Sequence, residues 1–82
     1  MQDPVSIIIP AHNEADTIGA VVRRLQDLPW VDEVVVVDNG STDATSAVAS
    51  ESGARTVREE ARGMGHAVRA GIKAARNDWV MK

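Results

Sequence analysis

Cysteine, phenylalanine and tyrosine are absent from this 82-residue chain, and Trp30 and Trp79 are its only aromatic residues. Without cysteine there is no disulfide framework and no thiolate-bound zinc. Without Phe or Tyr the interior must be aliphatic, drawn from 12 Val, 12 Ala, five Ile, two Leu and three Met. Positive charge is also scarce: nine Lys and Arg stand against 12 Asp and Glu, a net charge of -3, the wrong sign for a nucleic-acid partner. The longest unbroken apolar run, Val34 to Val37, is four residues, far short of the about 20 that cross a membrane. Met1-Gln2-Asp3-Pro4 lacks the basic start and apolar stretch of a secretory signal. A cytoplasmic protein without a membrane segment is therefore expected. So short a chain buries a small fraction of its surface, which points to one unit, 1–82, belonging to something larger.

What is present alternates. Val5-Ser6-Ile7-Ile8-Ile9, closed by Pro10, and Val34-Val35-Val36-Val37, closed by Asp38, read as strands apolar on both faces, as in a parallel sheet covered by helices. Between them Asn13 is placed as a helix N-cap, Glu14 and Asp16 sit in the first turn, and Ile18, Val21, Val22, Leu25 and Leu28 share one face before Pro29. A second helix is expected over Ala44 to Ser52, capped by Ser41-Thr42-Asp43, with Ala44, Ala47 and Val48 toward the sheet and Gly53 turning its end. Arg55 to Glu59 reads as a third strand. Gly63-Met64-Gly65 leads into a third helix with Met64, Val68, Ile72 and Ala75 on one face, and Trp79-Val80-Met81 begins a fourth strand. This is an α/β, three-layer βαβαβαβ unit with a mainly parallel sheet, a class that binds ligands beyond the carboxyl ends of its strands.

Two polar clusters fall at those ends, Pro10-Ala11-His12-Asn13-Glu14 and Asp38-Asn39-Gly40-Ser41-Thr42-Asp43. Helix starts and turns account for each cluster taken alone; together they would wall one crevice. Asp38 follows four valines, and a carboxylate at the mouth of a dry sheet needs a partner, such as a nucleobase N–H or a ribose hydroxyl. His12 and His66 lack metal-ligand spacing, and Ser41 is not in a nucleophile elbow. The Gly63-Met64-Gly65-His66-Ala67-Val68 segment is a poor dinucleotide fingerprint; its glycines suit a tight helix start, with Arg62 free for a base or phosphate. The two tryptophans read as core or edge packing.

Three stretches, Ile7 to Ile18, Val36 to Asp43 and Gly63 to Gly71, follow one another in order and carry a resemblance that extends over nearly the whole chain. In them the sequence resembles the N-terminal part of family 2 glycosyltransferases, closest to the dolichyl-phosphate-mannose-synthase-like branch. The resemblance implies the first half of a GT-A, Rossmann-like nucleotide-binding domain. It implies that Pro10, Ala11, His12, Asn13 and Glu14 line the nucleotide pocket, that Asp38, with Asn39 and Gly40, meets the base, and that Arg62, Gly63 and Met64 close over it. His12 stands where Tyr is common and Asn39 where a second Asp is common. The partner implied is a UDP- or GDP-sugar. The Mn2+ or Mg2+ of the full-length enzyme would be held by an Asp-x-Asp after the fourth strand, where this sequence ends, so no metal ligand and no catalytic residue is assigned here, and the fragment alone is expected to be inactive. The alternative is a non-catalytic α/β module that binds a nucleotide or a protein; a nucleotidyltransferase would need a Gly-rich basic loop after the first strand. Trp79 and Val80 on an uncovered edge strand lead us to expect a homodimer.

Overall fold

The computed structural model describes residues 3–82; Met1 and Gln2, the start of the segment read for a secretory signal, lie outside them. The strands are β1 (Val5–Ala11), β2 (Val31–Asp38), β3 (Arg55–Arg58) and β4 (Asp78–Met81), and the helices α1 (Ala15–Gln26), α2 (Thr45–Glu51) and α3 (Met64–Ala74). The sheet order is β3-β2-β1-β4, and every pairing is parallel. Alternation along β1 and β2 serves two layers. Ile7, Ile9, Val34 and Val36 face Ile18, Val22 and Ala49 from α1 and α2. Ile8, Val35 and Val37 face Ala67 of α3. No described helix is long and apolar enough to cross a membrane.

Both central strands run further than the sequence led us to expect. β1 passes through Pro10 to Ala11, which is possible because Pro10 needs no ladder partner for the N–H it lacks. Lys82 donates to the Ile8 carbonyl, so Ile8 and, two residues on, Pro10 face β4, whose pairing stops at Ile8↔Met81. β2 begins at Val31, and Asp32 and Glu33 join it because the Glu33 carboxylate is hydrogen-bonded: Ser6 Oγ donates to it at 2.6 Å and the Arg76 amide at 2.6 Å.

Three helix details differ from expectation. Asn13 does not cap α1; it adopts φ 52°, a conformation Asn tolerates, and Glu14 takes the cap position. On α2 the buried residues are Thr45 and Ala49, while Ala44 and Ala47 are exposed. The stripe turns by one residue because the Thr45 hydroxyl has internal partners, accepting the Glu14 amide and donating to Asp43. On α3 the inner face is Ala67 and Gly71, with Ala70 and Ala74 beside them, while Met64 and Ile72 are exposed. Close approach selects small residues there: a Cβ on Gly71 would run into Ile8 Cγ2 and lie 3.2 Å from Val37 Cγ2. Trp30 packs against the α1 side of the core, and Trp79 sits on the edge strand, 44% exposed.

Gly71→Ala should therefore cost about 1–3 kcal/mol by overpacking. Gly65→Ala, with nothing within 4 Å of the new Cβ, should leave stability unchanged or raise it by up to about 1 kcal/mol through helix propensity. Thermal unfolding of the two variants checks the contrast, and equal melting temperatures would contradict this packing.

Candidate functional site

The register sets Ala11, Asp38 and Arg58 side by side at the carboxyl ends of three neighbouring strands. Asp38 is the anchor. Its side chain is buried, and its oxygens accept the Ser41 amide at 2.9 Å, Ser46 Oγ at 2.5 Å and Arg58 Nη1 at 3.2 Å. Burial by itself would raise this carboxyl; the hydrogen bonds from Ser41 and Ser46 and the Arg58 charge outweigh it and hold the group below the ordinary Asp range. The partner that the sequence demanded for Asp38 is thus found inside the chain. Arg58, which sequence reasoning passed over, also donates to the Ser41 carbonyl at 3.2 Å and pairs with Glu60.

The loops after β1 and β2 are stitched together directly. The Asn13 amide donates to Ser41 Oγ at 2.8 Å, and Asn13 Oδ1 accepts the Thr42 amide at 2.8 Å. Asp43 bridges two helix starts, accepting the Ala15 amide of α1 at 3.2 Å and the Thr45 amide of α2 at 3.0 Å. Side chains of the second loop thereby satisfy the amides that open α1. The hydrogen bond from the Thr45 hydroxyl, more than those from the Ala15 and Thr45 amides, keeps the Asp43 carboxyl low. His12 Nδ1 lies 3.0 Å from the Asn39 carbonyl; a carbonyl only accepts, so Nδ1 carries the proton. Nε2 then accepts from Asn13 Nδ2 at 3.3 Å.

Between these loops and the first turn of α3 opens a cavity of about 160 Å³, lined by Pro10, Ala11, His12, Glu14, Asn39, Met64 and Ala67. Six of the eleven residues expected to bind nucleotide line it, and Ala67 joins them. Ala67 was legible only as helix surface, since nothing in its neighbours marks which face turns inward. Asn13, Asp38, Gly40, Arg62 and Gly63 do not line it. Gly40, at φ 77°, lets the Arg62 stem lie close: a Cβ there would be 3.0 Å from Arg62 Cδ. Arg62 is exposed, and no carboxylate among the described residues pairs with it. Gly63, at φ 120°, precedes α3.

A larger crevice of about 590 Å³ lies at the opposite, amino ends of β2 and β3, bordered by Asp32, Glu33, Arg55 and Arg76. Its charges are spent on one another: Arg55 and Arg76 approach Glu33 at 3.7 and 3.6 Å, and Arg76 meets Asp32 at 3.1 Å. Volume alone does not locate the site.

The profile of Glycosyl transferase family 2 matches residues 6–81. The chain belongs to this family. It is 46% identical over 59 residues to a glucosyl-3-phosphoglycerate synthase of Mycolicibacterium smegmatis, covering 70% of this chain and 20% of that protein. It is 39% identical over 71 residues to glycosyltransferase AglJ of Haloferax volcanii, covering 87% and 23%. The crystal structure of Mycobacterium tuberculosis glucosyl-3-phosphoglycerate synthase with Mn2+, UDP-glucose and phosphoglyceric acid superposes with a TM-score of 0.83 at 33% identity, over 96% of this chain and 33% of that one. The chain thus spans a fifth to a third of these relatives. The fold expected from the sequence is met, and the family is established without the finer branch.

Structures of the same M. tuberculosis enzyme hold Mn2+ or Mg2+ with UDP. The donors described here do not fit such an ion. No group of three His, Cys, Asp or Glu side chains converges among the described residues, and the carboxylates of Asp38 and Asp43 already accept N–H and O–H groups.

The folded state lowers the carboxyls of Asp38, Asp43 and Glu33. Each contributes stability that is complete above its unfolded pKa of about 4 and is lost as pH falls through the lower folded value. Melting temperature should be flat above about pH 5 and fall below about pH 4. Asp38→Asn should cost about 2 kcal/mol at pH 7, the range of hydrogen bonds to a charged group, and make the acid loss shallower. A variant as stable as the parent at pH 7 would contradict the role given to Asp38.

Proposed function

We propose that residues 1–82 form one partial domain, the nucleotide-binding portion of an enzyme that transfers a sugar from a nucleoside-diphosphate sugar to an acceptor. The observation that carries this is the cavity itself: it lies at the carboxyl ends of β1 and β2, closed by the first turn of α3, in a chain similar to an enzyme crystallised with UDP-glucose. Its volume, about 160 Å³, is below the roughly 300 Å³ of sites that enclose a drug-sized ligand, so it takes the base and leaves the sugar outside. Pro10, Ala11, Met64 and Ala67 offer apolar walls for a flat ring, the Met64 thioether suiting an aromatic face. His12 supplies the polar edge, and Arg62 stands ready for phosphate charge.

The second reading, a binding module without chemistry, would use the same cavity and the same lining residues. Calorimetry separates the two from an empty scaffold. UDP should bind, GDP more weakly, and His12→Ala should weaken UDP about tenfold, about one hydrogen bond's worth of free energy. No heat with either nucleotide would remove the nucleotide reading. The 82 residues alone, given UDP-glucose and Mn2+, should transfer no sugar; turnover would contradict the partial-domain assignment.

Self-association belongs to the same proposal. β4 is an edge strand, with Trp79 and Val80 44% and 48% exposed, and uncovered apolar edges recruit strands. Sedimentation should find a dimer; a monomer at high concentration removes this part.

A further inference from the structure

Asn39 lines the cavity, yet its side chain is turned to the chain. Nδ2 donates to the Glu59 carbonyl at 3.0 Å and to the Ala61 carbonyl at 2.8 Å, while Oδ1 accepts the Gly63 amide at 3.1 Å. Only this orientation is consistent, since the flipped amide would set its oxygen against two carbonyls and its hydrogens against an N–H. The residue is 9% exposed, and its own amide is tied to the Ala11 carbonyl at 2.9 Å. One buried side chain thus holds both ends of the loop that delivers Gly63 and Met64 to the cavity.

We propose that Asn39 is a positioning residue, an amide latch that fixes the 59–63 loop and so sets where Met64 and Ala67 stand against a bound base. The proposal rests on the nucleotide reading of the cavity. The task demands two hydrogens and one acceptor together. An ionised carboxylate at this position can still accept, but it leaves both carbonyls without a donor and repels them, so the loop moves off and carries the Gly63 amide away from its acceptor; a protonated one restores a single donor and lets the loop return. Asn39→Asp therefore converts the latch into a proton-dependent one. The titratable and charged groups around it are His12 and Glu14 from the loop after β1, Asp38 and Arg58 at the strand ends, Glu59, Glu60 and Arg62 in the latched loop, and His66 on α3. Parent and variant share all of them, and both meet the same titration of UDP, so the ratio of their affinities isolates the new carboxyl.

The test measures UDP affinity and Gly63 amide-exchange protection for parent and N39D between pH 5 and 8. At pH 8 N39D should bind UDP at least tenfold more weakly and lose Gly63 protection, and both deficits should shrink toward pH 5. Equal affinity, a deficit independent of pH, or unchanged Gly63 protection would overturn the latch. If N39D does not fold, N39A serves: it should lose Gly63 protection at every pH, and retained protection would overturn the proposal. If UDP binds neither chain, the nucleotide reading fails, and Gly63 exchange judges the latch alone: a loss reversed by acid upholds it, and no loss overturns it.

Discussion

A charged carboxylate buried at the end of a run of four valines governs the way this molecule is put together. Asp38 is fully buried, a position untenable without compensation. The compensation comes from three directions at once: the loop amide of Ser41, the α2 hydroxyl of Ser46 and the β3 guanidinium of Arg58. Meeting the needs of one residue therefore fixes a loop, a helix and the neighbouring strand relative to β2. The loop so fixed carries Ser41, Thr42 and Asp43, whose side and main chains bind Asn13 and the start of α1. The crevice wall is a consequence of burying Asp38, built outward from it.

The two ends of the sheet use the same physics to opposite effect. At the amino ends Glu33 is nearly buried and answered by Ser6, Arg55 and Arg76, which ties the α3–β4 turn to β1 and β2 and leaves its charges matched. At the carboxyl ends the polar groups are also satisfied, but largely by loop backbone. The space left between them has apolar walls in Pro10, Ala11, Met64 and Ala67, and the exposed Arg62 meets no carboxylate among the described residues. That difference, and not size, separates the proposed ligand site from a structural clamp.

The strands and the family were legible because their signals are local and dense: runs of β-branched residues flanked by turn formers, and two polar clusters at strand ends. Helix faces were less legible. Choosing α3's inner stripe by side-chain size selects Met64 and Ile72, whereas the sheet admits only Ala67 and Gly71 at that separation, a tertiary demand absent from the helix's own sequence. Thr45 was hidden for the same reason, as a polar residue whose burial depends on Glu14 and Asp43 from elsewhere. Asp38 read correctly as a carboxylate in need of a partner, but the partner, Arg58, lies on another strand and belongs to no motif. Asn13 read as a cap because Asn caps many helices; its partners Ser41 and Thr42 lie 28 and 29 residues away.

The central claim is that a nucleotide base sits between the loops after β1 and β2 and the start of α3. Backbone amide shifts in two-dimensional NMR, followed as UDP is added to the chain, test it most directly. Shifts should concentrate at residues 11–14, 39–40 and 62–67. Shifts gathered instead around Asp32, Glu33, Arg55 and Arg76, or none at all, would contradict it.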